Sequence, residues 1–201
     1  SNGSATYDWG HVTRGQGNYS VQQCGVRGLN GSAAMPYAPG WSTNLPTQNL
    51  AAAYAAGDRR KAVTVLDIEA YKVANPALNI TYQVAPYQNT GLYNQKYLPR
   101  KGETSGQVEL NYSNNFRTIR YADVLLMLAE CEAEIGTPAQ AAAYINEVRS
   151  RPGVDMPDVT LTSKNDAIKA VMHERAVELS AEEVADIDIL RWRKKGYFPS
   201  I

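Results

Sequence analysis

The chain has 201 residues, of which 44% are hydrophobic, and this is enough to bury a core in one or two domains. Lysine and arginine together number 20, as do aspartate and glutamate, so the chain lacks the basic field that attracts nucleic acid or anionic lipid. No apolar run approaches the roughly 20 residues that span a bilayer. We therefore expect a globular protein that does not bind nucleic acid.

The first part of the chain is rich in turn-forming residues. Between residues 10 and 47, glycine and proline recur too often for long helices, so this stretch predicts loops. A short helix is predicted at 47–56, with the Thr47 hydroxyl as its N-cap. Short runs of β-branched and aromatic residues predict strands or hairpin arms at 63–68, 79–84 and 92–97.

A helical hairpin is predicted over residues 120–153. Apolar residues at three- and four-residue steps form one stripe on its first helix, which we expect to be buried: Tyr121, Val124, Leu125, Leu128, Cys131 and Ile135. Gly136 ends that helix, and Pro138 suits the first turn of the next. The unit spans about 34 residues, the length of a tetratricopeptide repeat.

The rest of the chain is predicted to be helical, with one helix at 165–179 capped by Ser163 and another at 183–194. Most of the glycine, proline, asparagine and tyrosine lies before residue 113. We therefore expect a loop-rich recognition region over 1–113 and a helical region over 114–201. The predicted fold class is mainly α, with tetratricopeptide-like helical hairpins, a loop-rich region and short β-hairpins.

Charged residues of the helical half sit beside apolar positions. We expect partly buried ion pairs that fix the register of the helices. The residues concerned are Arg120, Glu174, Arg175, Glu178, Asp188 and Arg191. Trp192 is expected to fill a core or an interface.

Several of these residues belong to motifs that occur in a fixed order. RYADVLLMLAE at 120–130 is followed by IN-x-VR at 145–149, ER-x-x-EL at 174–179 and D-x-L-RW at 188–192, and upstream lie PTQNLAAAYAAGDRR and GLYNQKYL. In this order the motifs resemble those of the SusD/RagB family, over roughly residues 46–192. Where the family has E-G-x-R after ER-x-x-EL, this chain has Glu182, Glu183, Val184 and Ala185, so the glycine and the arginine are missing.

The resemblance implies a function and a location. It implies a non-catalytic, lipid-anchored protein on the extracellular face of the outer membrane, without a cofactor. Such a protein captures oligosaccharides and passes them to a TonB-dependent transporter of the SusC type. The chain begins at Ser1 without a methionine or a signal sequence, which we interpret as the start of an excised piece.

Binding a sugar needs flat apolar faces next to amides and charges, because a pyranose stacks through its C–H face and presents hydroxyls at its edge. The loop-rich region supplies such residues, and the two tryptophans are the strongest candidates because large aromatic rings are costly to expose. The candidate glycan-binding residues are Trp9, Trp41, Tyr37, Tyr19, Tyr7 and Arg14. The alternative is that these rings cover the helices.

Catalytic and metal sites have little support in the sequence. Asp67 with Glu69 is the nearest carboxylate pair for a glycosidase, and Cys24 with His11 the nearest nucleophile and base, but no further motif accompanies either. Only two histidines are present, which leaves few metal ligands beyond carboxylates. The rival to glycan binding is therefore a helical protein-interaction scaffold that docks on a transporter or a peptide.

Overall fold

The structure is a computed structural model that describes residues 19–84, 90–103, 112, 114–182 and 184–198. Helices predominate in these ranges, as predicted. In chain order the elements are α1 (Tyr19–Cys24), α2 (Gln48–Ala53), α3 (Arg60–Thr64), β1 (Val65–Asp67), α4 (Ile68–Ala74), a 3₁₀ turn (Pro76–Leu78), β2 (Leu92–Asn94), α5 (Tyr121–Ile135), α6 (Pro138–Arg149), α7 (Lys164–Glu178) and α8 (Ala185–Lys194). Within the described ranges, no helix has the length and apolar character needed to cross a membrane.

The chain divides into two compact units. A loop-rich unit comprises 1–48 and 63–116, and a helical unit comprises 49–62 and 117–201. Residues 49–62 precede the predicted boundary at 113 and nevertheless belong with the helices. Hydrogen bonds join this segment to the helices: for example, the Tyr54 hydroxyl donates to the Val177 carbonyl at 3.0 Å, and Arg60 donates to Glu178 at 3.0 Å.

The loop-rich unit contains a small antiparallel sheet. β1 pairs with β2, and Leu66 lies opposite Tyr93. The strands predicted at 63–68 and 92–97 are thus present but short, whereas 79–84 was wrongly predicted as a strand, because Thr81 makes only an isolated bridge to Asn30. The core of this unit is formed by Val26, Leu29, Met35, Tyr37, Leu66, Ile68, Ile80, Tyr93 and Leu98.

The helical unit contains the predicted hairpin of α5 and α6, against which α7 packs. Side-chain caps begin two of these helices. The Thr137 hydroxyl accepts a hydrogen bond from Gln140 N at 3.2 Å, and the Ser163 hydroxyl accepts one from Asp166 N at 3.1 Å. The Ser163 cap confirms the start predicted for α7, and α2 is likewise present where a short helix was expected.

The buried side of α5 differs from the predicted stripe. Leu125 is buried as expected, but Tyr121, Val124, Leu128 and Ile135 are 68%, 40%, 41% and 92% exposed, and Cys131 is exposed too. The side of α5 in the core carries Ala122, Leu126, Ala129 and Ala133 instead. Alanines allow neighbouring helices to approach closely, so the predicted stripe was wrong because it favoured the larger apolar residues.

Ala181, just after α7, has a φ of 65°, in the left-handed region that disfavours a residue with a Cβ. We expect Ala181→Gly to raise the free energy of unfolding by roughly 1 kcal/mol, measured by urea denaturation. Ala143→Gly, at an exposed position inside α6, is the control and should lower it by roughly 1 kcal/mol. No gain for Ala181→Gly would mean that this backbone conformation carries no strain.

Candidate functional site

The loop that carries Trp41 is bound to the segment 22–27 by main-chain hydrogen bonds. They join Gly40 N to Val26 O at 2.9 Å, Trp41 N to Gln22 O at 2.8 Å, Ser42 N to Gly25 O at 2.9 Å and Thr43 N to Gln23 O at 3.0 Å. Because successive N–H groups of the loop are used in this way, the loop has one defined backbone path. Trp41 therefore projects from a fixed position.

Two glycines make the close approach of these segments possible. A Cβ on Gly40 would overlap the Cα of Gly25 and lie 2.6 Å from the carbonyl oxygen of Gln22. A Cβ on Gly25 would lie 2.6 Å from the Cα of Gly40. Neither position accepts a side chain without displacement of the loop.

Side chains reinforce the main-chain contacts next to Trp41. The Ser42 hydroxyl accepts a hydrogen bond from Arg27 N at 2.8 Å and donates to Gly25 O at 3.3 Å. The Arg27 guanidinium donates to the Trp41 carbonyl at 3.3 Å. Ser42 also has a φ of 54°, a left-handed conformation that these bonds hold in place.

Trp41 is partly exposed, and its polar neighbours are Arg27, which bonds its carbonyl, and Thr43 and Asn44, which follow it in the chain. Arg27 is also partly exposed, and Thr43 and Asn44 are exposed. An indole face can stack on the C–H face of a sugar, while a guanidinium, a hydroxyl and an amide can bond its hydroxyls. A fixed loop also lowers the entropy cost of ordering that binding would otherwise carry. This loop is the candidate site, with Trp41 at its centre.

Tyr37 lies in a different environment. It is 7% exposed, its ring centroid is 5.7 Å from that of Tyr71, and the Arg100 guanidinium lies 5.9 Å from its ring centroid. Its hydroxyl accepts a hydrogen bond from Gln95 Nε2 at 3.4 Å. A ring packed in this way has no open face for a sugar, so we assign Tyr37 to the core and leave it out of the proposed site.

The side chains of four further candidates lie outside the described part of the chain. Trp9, Tyr7 and Arg14 lie outside the described residues. Tyr19 begins α1, but its side chain also lies outside what the structure describes. These four residues stay sequence-based predictions.

The carboxylates considered for catalysis have structural contacts. Asp67 caps α4, because its Oδ1 accepts a hydrogen bond from Ala70 N at 3.0 Å. Glu69 accepts a hydrogen bond from the Tyr82 hydroxyl at 2.7 Å. Burial, the hydrogen bond and the Glu69 charge together raise the pKa of Tyr82 well above its usual value. Cys24 is buried, His11 lies outside the described residues, and the described residues contain no group of three or more potential metal-ligating side chains.

A buried carboxylate organises the charged residues of the helical unit. The Glu178 side chain is 1% exposed and accepts hydrogen bonds from Arg60 at 3.0 Å, Arg120 at 2.6 Å and Arg151 at 2.6 and 3.0 Å. Burial by itself would raise the pKa of Glu178, but the hydrogen bonds and charges of Arg151 and Arg120 outweigh it and lower the pKa to about 2. Glu178 is therefore ionised at neutral pH.

The other expected ion pairs are confirmed. Arg175 bonds Asp188 at 2.7 Å and also bonds Asp123 at 2.8 Å. Glu174 pairs with Arg60 and with Arg149, the latter at 3.0 Å, and Arg191 pairs with Glu130 and Asp188. Trp192 is buried, as expected, and its indole N–H donates to Glu130 at 3.3 Å. These charges therefore connect helices and do not form an open catalytic cleft.

A groove of about 600 Å³ lies between the start of α5 and the end of α6. Tyr121 stands at its rim, and its hydroxyl donates to Glu147 Oε1 at 2.8 Å. Arg120, Arg151 and Pro152 also line it. Sequence reasoning missed this groove because Tyr121 was placed on the buried stripe. A signal was available: an antiparallel helical hairpin sets the start of its first helix beside the end of its second, where Glu147 lies.

Comparisons with known proteins cover most of the chain. The sequence profile of the SusD family matches residues 4–197. The chain belongs to the SusD family. It is similar to SusD-like protein P2 of Formosa agariphila, with 28% identity over 83% of this chain and 34% of that protein. The chain thus spans about a third of that relative's length.

Solved structures show the same fold. Surface glycan-binding protein A from Bacteroides fluxus gives a TM-score of 0.71 at 25% identity, over 88% of this chain and 36% of that one. Surface glycan-binding protein A from Bacteroides thetaiotaomicron, in complex with laminarihexaose, gives 0.71 at 24% identity, over 93% of this chain and 40% of that one. The family resemblance and the helical fold class inferred from the sequence are both confirmed.

The lowered pKa of Glu178 predicts acid lability. A carboxyl whose pKa falls from 4.5 to about 2 on folding stabilises the protein above pH 4.5, and this contribution is lost as the pH falls from 4.5 towards 2. We expect wild-type Tm to drop across that window. Glu178→Gln should lower Tm at pH 7, because three arginines lose a buried counter-charge, and should flatten the drop.

Asp158→Asn is the control, because Asp158 is exposed in the loop before α7. Its thermal denaturation should follow the wild-type curve at each pH. The assignment of acid lability to Glu178 fails if Glu178→Gln shows the same loss of Tm between pH 4.5 and 2 as the wild type.

Proposed function

We propose that this protein binds oligosaccharide without transforming it, and that Trp41 is part of the binding site. The observation that carries the proposal is the partly exposed indole on a loop fixed by main-chain bonds, in a chain of the SusD family. Binding would consist of stacking of a sugar ring on the indole and hydrogen bonds from Arg27, Thr43 and Asn44. Trp9, Tyr7, Tyr19 and Arg14 remain proposed contributors.

The names of the relatives support this choice of ligand. Four of the matched structures are of surface glycan-binding protein A: two from B. thetaiotaomicron, one from B. fluxus and one from B. uniformis. One of them is in complex with laminarihexaose. A glucan hexasaccharide is therefore the first probe to use with this chain.

For the whole protein, we extend the proposal to nutrient uptake. Family membership supports a lipid-anchored protein on the extracellular face of the outer membrane that delivers glycan to a TonB-dependent, SusC-like transporter. The described acidic candidates have structural contacts, which supports binding without catalysis.

A second candidate function is a protein-interaction scaffold. One side of α5 carries Val124, Met127, Leu128 and Ile135, which are 40%, 45%, 41% and 92% exposed. An apolar helix side of this kind suits docking of another protein. In this case the chain would bind no glycan itself, and changes at Trp41 would have no effect.

We expect Trp41→Ala to weaken glycan binding at least about tenfold, because it removes the stacking surface. The measurements are affinity gel electrophoresis against laminarin, xylan, starch and mannan, and isothermal titration calorimetry with laminarihexaose. Phe116→Ala is the matched control. Phe116 is an aromatic residue of the same unit, 48% exposed and outside the Trp41 loop, and its removal should leave binding unchanged.

Circular dichroism of each variant separates loss of binding from loss of folding. If a folded Trp41→Ala variant binds glycan with wild-type affinity, the site does not lie in this loop. If the wild-type chain binds no glycan of the panel, the scaffold becomes the better account.

A further inference from the structure

Two arginines that line the groove between α5 and α6 are held in place by hydrogen bonds to buried carboxylates. Arg151 is 38% exposed in its side chain, and both of its terminal nitrogens donate to Glu178. Arg120 is 26% exposed and donates to Glu178 and to Glu182, whose side chain is 6% exposed. Both guanidinium groups are thus oriented before a ligand arrives, which reduces the entropy cost of binding.

The rim of the groove offers a flat apolar surface. Tyr121 is 68% exposed, and the hydrogen bond from its hydroxyl to Glu147 ties the ring to the neighbouring helix. Pro152 adds a second rigid ring to the lining, and Leu125 supplies further apolar surface. An aromatic face beside a carboxylate and a guanidinium is the combination that binds the C–H face and the hydroxyls of a sugar.

The two arginines of the groove have counter-charges within the protein. Arg120 and Arg151 are matched by Glu178 and Glu182, and Glu147 lies at the rim. An anionic ligand would therefore meet no uncompensated positive charge, and the one charge in excess is that of Glu147, which already accepts the Tyr121 hydroxyl. A neutral ligand with many hydroxyls fits better, and a volume of about 600 Å³ lies within the usual range for small-ligand sites.

We infer that this groove is a second glycan subsite, in which Tyr121 stacks on a neutral sugar and Glu147 and Arg151 bond its hydroxyls. The inference rests on the proposed function, since it assumes that the chain binds glycan at all. It is independent of Trp41, because the groove is built within the helical unit and the Trp41 loop within the loop-rich unit.

The test uses the 201-residue chain. The four probes are laminarihexaose, maltohexaose, cellohexaose and xylohexaose. Tyr121→Ala should lower the affinity for at least one probe by about three- to tenfold, the usual range for loss of one ring contact. Tyr121→Phe, which keeps the ring and loses the bond to Glu147, should have a smaller effect. Leu128→Ala is the matched control, because Leu128 is a 41% exposed residue of the same helix outside the groove.

Hydrogen exchange locates the contact. With a saturating concentration of the probe that binds most tightly, the backbone amides of residues 147–151 should exchange more slowly, and this protection should persist in Trp41→Ala. The Trp41→Ala variant should retain the glycan binding that is due to the groove. Adding Tyr121→Ala to that variant should remove this remaining binding.

The outcomes separate this inference from the proposed function. Wild-type affinity in Tyr121→Ala, with protection confined to residues 40–44, overturns the second subsite and leaves glycan binding at Trp41 intact. If Tyr121→Ala abolishes glycan binding and Trp41→Ala leaves the affinity unchanged, the groove is supported as a site and the proposal of a site at Trp41 is overturned. If no probe binds the wild-type chain, both ideas fall, and a protein partner becomes the better occupant of the groove.

Discussion

Glu178 is the charge on which the helical unit depends. Its carboxylate is buried at the end of α7 and bonds arginines from three other places: the start of α3, the residue that precedes α5 and the turn after α6. Removing such a group from water costs several kcal/mol, and only well-placed partners offset that cost. A shift of any one of these segments would break at least one of these hydrogen bonds to Glu178. The network therefore specifies the arrangement of the helices more than it adds to their stability.

The Trp41 loop reaches a fixed geometry by other means. No buried charge is needed there, because main-chain hydrogen bonds and the contact between Gly25 and Gly40 determine the path of the loop. In the groove, by contrast, buried carboxylates orient the side chains of Arg120 and Arg151. In both places the groups of the proposed sites are positioned by contacts within the protein. Preorganisation of this kind suits a binder, since little conformational entropy is lost on association.

Local signals in the sequence predicted the helices well. Ser163 and Pro138 mark helix starts through the chemistry of the first turn, which depends on nearest neighbours alone. The paired motif charges were also predictable, because an arginine or a glutamate among apolar positions needs a partner when it is buried. The partners themselves were not: Arg60 reaches Glu174 and Glu178 from more than 100 positions away, as the separations of 114 and 118 show.

Long-range packing also explains where sequence reasoning failed. The predicted α5 stripe gave weight to size and hydrophobicity, whereas the buried side is chosen by how closely α6 and α7 can approach, which favours Ala129 and Ala133. Asp123 is buried on that side only because Arg175 faces it. Tyr37 was predicted as a ligand-facing ring, and its burial follows from contacts with Tyr71 and Arg100 that are distant in sequence. Within the candidate site, composition pointed to Trp41, while the glycine contact that fixes it required the structure.

Each of the two units leaves an aromatic ring exposed, at a cost. Trp41 and Tyr121 each leave apolar surface in water, which a fold does not need for its own stability. Sugars are strongly hydrated, so a ring contact and a few hydrogen bonds give a small net gain when water is displaced. A surface that already holds such rings rigid loses less conformational entropy on binding, so more of that gain is kept. Weak but immediate binding of this type is what a protein needs if it must capture a glycan and then release it.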